Sequence, residues 1–199
     1  MVTKGDKTKQ RILEVAASLF WKRSYHGLNM NTISEAAGVN KATVYGYFPS
    51  KEALALAAIE NYHQYVQTQI FDTVRQATDH PIAQLEMVYQ AFHAATQAVY
   101  EHDGICPGCP FVNMVTELAT ENPALRAKIQ GCFDRVGEFY RQLVRSAKQQ
   151  GLATADLDEE STVRGLIAVM NGAFIASKIH NSPDEILKML PAARRLLTS

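Results

Sequence analysis

Only three cysteines occur in the 199 residues, an odd number and too few for the disulfide framework of a small secreted domain. Glycine (11) and proline (7) are scarce, which argues against an all-β chain with its many turns. There is no net charge. No apolar run reaches the roughly 20 residues of a membrane span. The longest, from Gly165 to Ala176, is interrupted by Asn171 and flanked by Arg164 and Lys178. The polar start, Met1 to Gln10, has no apolar targeting segment, so a cytoplasmic location and no membrane partner are expected. No Ser/His/Asp set, phosphate loop or paired-carboxylate site is visible, and no cofactor is expected.

What is there is ordinary globular composition, 47% hydrophobic and 20% charged. The zero net charge hides an asymmetry. Up to Lys51 there are eight Lys and Arg (Lys4, Lys7, Lys9, Arg11, Lys22, Arg23, Lys41, Lys51) against three acids (Asp6, Glu14, Glu35). The remainder carries the matching acidic excess. A basic head on an acidic body points to an anionic partner, nucleic acid first.

Helical periodicity dominates. Ile12, Val15, Ala16, Leu19 and Phe20 form one apolar stripe, in a helix expected from near Lys7 to before Gly27. Two short helices follow, Met30–Ala37 and Lys41–Phe48, split by Gly38. Ser50 is placed to cap a long helix to about Ala77. Further helices are expected from Pro81 to about Glu101, over Phe111–Ala119, from Asn122-Pro123 to before Gly151, from Asp158 or Ser161 to about His180, and around Ile186–Leu197. No strand alternation is convincing. The expected fold is all-α, with about nine helices: an N-terminal three-helix domain over 1–50 and a C-terminal bundle over 51–199.

The informative stretch is Asn29 to Lys51, NMNTISEAAGVNKATVYGYFPSK. Two helices of two turns bury too little alone and must lean on the first helix. Gly38 supplies the turn conformation that a Cβ resists. Ser34 permits close approach, and Ile33, Val39 and Val44 pin the pair. This is helix-turn-helix geometry, with Lys41–Phe48 as the recognition helix. Lys41, Thr43, Tyr45, Gly46 and Tyr47 then form an outward face suited to phosphates and base edges.

These residues resemble the TetR family of bacterial transcription regulators. The resemblance rests on Leu19-Phe20, Tyr25-His26-Gly27, Ile33, Ala36 to Val39, Val44-Tyr45, Tyr47-Phe48 and Ser50 to Leu54. It implies an all-α homodimer with an N-terminal DNA-binding domain and a C-terminal ligand and dimerisation domain. It further implies base reading by Asn31, Lys41, Ala42, Thr43 and Tyr45, and phosphate contacts by Asn29, Tyr45, Tyr47 and Lys51. Two positions depart from the pattern: Asn29 stands where Thr or Ser is usual, and Gly46 where a larger residue is usual. The function implied is repression from a palindromic operator, relieved by a small-molecule effector.

The body is rich in aromatic and small polar side chains. Tyr62, Val66, Tyr89, Phe92, His93, Thr96, Phe111, Met114, Leu118, Phe133, Tyr140 and Phe174 are the candidates to line an effector cavity between helices. Gly165, Ala168, Gly172 and Ala176 recur at helical spacing. A homodimer through helices near 161–180 and 184–197 is therefore expected. Cys106-Pro107-Gly108-Cys109 is a candidate thiol pair, with Cys109 just before a helix start that favours thiolate. Gly108-Cys109 with Asn113, Glu117-Leu118 and Pro123 to Arg126 loosely resembles the NemR-like subgroup of the family. That likeness implies an alternative in which Cys109 senses oxidants or electrophiles. A thiol oxidoreductase is the remaining alternative, without the βαβ context that such enzymes show. Metal binding is not expected, because Cys132 and His102 stand at no ligand spacing from this pair.

Overall fold

A computed structural model describes residues 3–198. Among them there are helices and no strands. Helix α1 is Lys4–Lys22, α2 is Met30–Ala36 and α3 is Lys41–Tyr47. Helix α4 runs over 51–77 as Lys51–Tyr65, Val66–Phe71 and Asp72–Ala77 without interruption. Then come α5 (Pro81–Asp103), α6 (Pro110–Leu118), α7 (Pro123–Gln149) and α8 (Glu159–His180). Helix α9 has two pieces, Glu185–Lys188 and Leu190–Leu197, bent where Pro191 enters.

Local chemistry sets the ends. Helix α1 begins earlier than periodicity suggests, because Thr3 and Asp6 cap each other reciprocally: Asp6 N–H donates to Thr3 Oγ1 at 3.1 Å and Thr3 N–H to Asp6 Oδ2 at 2.9 Å. Ser50 Oγ accepts from Ala53 N–H, Asn122 Oδ1 from Leu125 N–H and Asp158 Oδ1 from Ser161 N–H, which start α4, α7 and α8. Helix α5 opens with Pro81 and closes on Gly104 at φ 71°. Within α4, Val66–Phe71 form a π-turn: Asp72 N–H reaches back five residues to Gln67 O.

The described residues group into two compact units. The first comprises 3–64 with 110–132, the second 65–109 with 133–198. The core of the first centres on Ile12, Phe20, Ile33, Val44, Leu54, Ile59, Leu125 and Ile129. That of the second is built from rings. Phe71 stacks on Phe139 with centroids 4.2 Å apart, Tyr140 meets Phe139 edge-on, and Phe92 meets Phe174 edge-on at 5.2 Å. Helix α8 packs against α9, and α9 against α5. A Cβ at Gly165 of α8 would lie 3.1 Å from Leu196 of α9, so this glycine serves packing within the subunit.

Candidate functional site

The helix-turn-helix is assembled by asparagines and one glycine. Asn29 Oδ1 accepts from the N–H groups of Asn31 (2.9 Å) and Thr32 (3.0 Å), starting α2. Gly38 ends α2 at φ 62°, in the left-handed region that favours glycine. Its N–H bonds Glu35 O, and Val39 N–H bonds Ser34 O. Asn40 Oδ1 then accepts from Thr43 N–H (2.7 Å) and Thr43 Oγ1 (2.9 Å), starting α3. Ile33 and Val44 are fully buried, and Ser34 is buried with its hydroxyl turned back to Asn31 O.

This leaves one side of α3 outward. Lys41, Ala42, Tyr45 and Gly46 are exposed, as is Asn31 on α2. The Lys41 ammonium sits 5.8 Å from the Tyr45 ring centroid, one helical turn away. Thr43 is half-buried and tied to Asn40. The Tyr47 hydroxyl lies beside Gly5 of α1.

Lys51 faces inward in part. Its Nζ donates to Tyr25 O (3.1 Å) and Leu28 O (3.0 Å) and stands 4.1 Å over the Tyr25 ring. From α6, the Glu117 carboxylate accepts from the backbone N–H groups of Tyr25 (2.7 Å) and His26 (2.9 Å). His26 Nε2 lies 3.0 Å from Glu121. Within the first unit, then, the α1–α2 loop is gripped by a cation on its carbonyls and an anion on its amides. Asn122 Nδ2 donates to Glu52 and Lys128 pairs with Glu60, tying this end of α7 to α4. Sequence reading missed the capping by Asn40 and the loop contact of Glu117. The first had a signal, an Asn directly before a short helix. The second had none, since Glu117 meets its partners about 90 residues away in sequence.

The candidate effector residues fall in both units. In the first, Tyr62 meets Phe111 edge-on at 5.1 Å and tilts against Trp21 at 6.0 Å, and Met114 and Leu118 are buried along α6. In the second, Val66, Tyr89, Phe92, Thr96, Tyr140 and Phe174 are buried. Burial pushes the Tyr89 and Tyr140 hydroxyls above the ordinary phenol range, with Tyr89 raising Tyr140 further. Two candidates stand apart. His93 pairs with Asp184 of the α8–α9 link at 3.0 Å. Phe133 lines an open groove of about 430 Å³ between α7 and α8, with Gly137, Arg141, Glu160, Val163 and Ile167.

Cys106, Cys109 and Cys132 are all buried, and none of them is in a disulfide. The Cys106 N–H donates to Asn181 Oδ1 at 2.8 Å. Burial pushes its thiol up, away from thiolate. Among the described residues no three His, Cys, Asp or Glu side chains gather into a metal-binding group.

Residues 12–58 match bacterial regulatory proteins of the tetR family, and residues 81–192 match the tetracyclin repressor-like C-terminal domain. The chain belongs to the TetR family. It is a helix-turn-helix, DNA-binding transcriptional regulator of that family. The repressor DhaR of Mycobacterium sp. (strain GP1) is 24% identical over 182 residues, covering 92% of this chain and 88% of its own. A TetR transcriptional regulator from Chloroflexus aurantiacus J-10-FL superposes with a TM-score of 0.83 at 26% identity, covering 98% and 96% of the two chains. Reduced E. coli NemR superposes at 0.79, with 95% and 96% covered; at 18% identity it shares the fold.

Proposed function

We propose that this TetR-family regulator is a cytoplasmic, homodimeric repressor that leaves a palindromic operator when a small-molecule effector binds. Residues 1–50 are read as the DNA-binding domain and 51–199 as the ligand-binding and dimerisation domain. The observation that carries the DNA reading is the α3 face. Lys41, Ala42 and Tyr45 stand outward from a helix whose start is fixed by Asn40 and whose back is locked by Val44. Asn31 and Thr43 complete the base-reading set, and Asn29, Tyr45, Tyr47 and Lys51 are assigned to phosphate. The relative DhaR, named a repressor, supports the sign of regulation.

Support for the dimer comes from α8. Ile175 and Ile179 are exposed on it, Ile179 by 72%, and a Cβ at Gly172 would meet nothing within 4 Å. Uncovered isoleucines beside an open glycine suit a second copy of the helix. Helix α9 packs along α8 and completes the pair assigned to the interface. A reversible ligand is favoured over a thiol sensor, because Cys109, the candidate sensor, is buried, and its neighbour Cys106 is buried too and pushed away from thiolate.

The test is selection from a randomised duplex library, followed by titration of the recovered site at several salt concentrations. A palindrome with affinity falling steeply as salt rises is expected. Lys41→Ala should weaken binding about tenfold, the effect of losing one base-edge contact. Undiminished binding by Lys41→Ala and Tyr45→Ala would refute the assignment of α3. Sedimentation of Ile179→Glu as a monomer, with the native chain a dimer, would support the α8 interface.

A further inference from the structure

Two buried polar atoms of the second unit have no hydrogen-bond partner: the Tyr89 hydroxyl and the Gln67 side-chain amide nitrogen. Tyr89 is wholly buried on α5. Gln67 lies in the π-turn of α4, and α5 packs against that turn. Folded proteins pair nearly all such atoms, so two orphans on adjoining elements mark a place that a guest completes. The π-turn is a second, independent pointer. One extra residue there widens the helical ladder, a device found often at functional sites.

We propose that Gln67 and Tyr89 bind an uncharged, largely apolar molecule carrying an accepting oxygen, of the ketone, aldehyde or ester class. The proposal rests on the effector reading above and names the chemistry of the effector. An amide nitrogen only donates, so the partner missing from Gln67 must be an acceptor. The Tyr89 hydroxyl can donate to the same kind of atom. The surroundings offer a charged guest no counter-ion: the Arg75 guanidinium over the Phe139 ring is half-buried and already paired with Asp72. Among the described residues of this unit, the buried Ser and Thr side chains are Thr96, Thr162 and Ser177. Their hydroxyls close on their own helices, at Phe92 O, Asp158 O and Phe174 O. No buried ionised side chain is present among the described residues of the unit to balance a carboxylate or an ammonium. Burial keeps the phenols of Tyr89 and Tyr140 neutral. Ring faces from Phe71, Phe92, Phe139 and Phe174 supply the apolar part of the unit's interior.

The experiment uses the full chain and four matched probes: acetophenone, benzoate, benzylamine and ethylbenzene. Each is titrated while the midpoint of thermal unfolding is followed, for the native chain, Tyr89→Phe and Gln67→Leu. Acetophenone should raise the midpoint most, and each substitution should weaken its binding about threefold to tenfold. Tyr89→Phe should leave the ligand-free midpoint unchanged or higher, since it deletes a hydroxyl that has no partner. A lower midpoint would show that the hydroxyl is already satisfied, by the protein or by a fixed water, and would overturn the proposal. So would equal binding of benzoate or benzylamine, no binding of any probe, or full acetophenone affinity in both variants. Binding of the ligand-free chain to its selected duplex is measured alongside. Its absence would refute the regulator reading while leaving the probe result standing.

Discussion

In the first unit, two charged side chains are turned onto the backbone of the α1–α2 loop. Glu117 holds the Tyr25 and His26 amides, and Lys51 holds the Tyr25 and Leu28 carbonyls. In the second unit, charges pair with one another at the surface. Arg145 grips Glu159 with two nitrogens at 2.9 and 3.0 Å, and Arg141 joins Glu138 and Glu160. Inside, the second unit is ring against ring, with two polar atoms left over. The contrast follows from the work each region is given. A recognition helix of seven residues cannot fix its own pose by burial, so its neighbouring loop is pinned by directional bonds. On the effector proposal the second region admits a guest, and apolar packing, which is tolerant of direction, suits that.

The largest expected effect tests the apolar half of that contrast. Phe139→Ala removes the partner of Phe71 and the ring under the Arg75 guanidinium, 4.9 Å away. It should cost about 3–5 kcal/mol in urea denaturation. Next is Gly38→Ala, which forces a Cβ onto a φ of 62°. About 1–2 kcal/mol of strain is expected, with weaker operator binding from a displaced α3. Glu117→Ala tests the polar grip. It should cost about 1 kcal/mol and loosen the α1–α2 loop, read as faster amide hydrogen exchange at Tyr25 and His26. A loop as protected as before would break the comparison.

The smallest effect is electrostatic. Hydrogen bonds from Arg141 hold the Glu138 carboxyl below its ordinary range, and those from Arg164 and Arg141 do the same for Glu160. A carboxyl lowered by folding contributes stability above the unfolded value, and that contribution is lost as pH falls. A slight drop in the urea midpoint between about pH 5 and 3 is therefore expected from this pair. Added salt or Arg141→Ala should flatten it, because these groups lie in solvent.

The helices and the helix-turn-helix were legible because their signals are local. Apolar residues recur every three to four positions, Gly38 sits between two short runs, and Asn29 and Ser50 precede helices. The bend at Pro191 and the start at Lys4 shift boundaries by a few residues for equally local reasons. What sequence could not reveal is pairing at a distance. Phe71 and Phe139 read as two core residues and turn out to be one stack. Tyr62 and Phe111 read as part of one cavity set with Tyr89 and Phe174, yet the two pairs belong to different compact units. Periodicity says which side of a helix is inward, and not what it faces. The π-turn has no composition signal at all, because it depends on which carbonyl an amide selects.

One further consequence lies at the end of α1. Trp21 is the chain's single tryptophan. It leans on Tyr62 of α4, and its carbonyl accepts from Asn113 Nδ2 of α6 at 3.4 Å. Three helices of the first unit therefore meet at one tryptophan. Its emission colour and intensity follow the wetness and tightness of that junction, with no second tryptophan to blur the signal. The protein carries its own optical gauge where the helix-turn-helix head meets α6, readable in a cuvette without any dye.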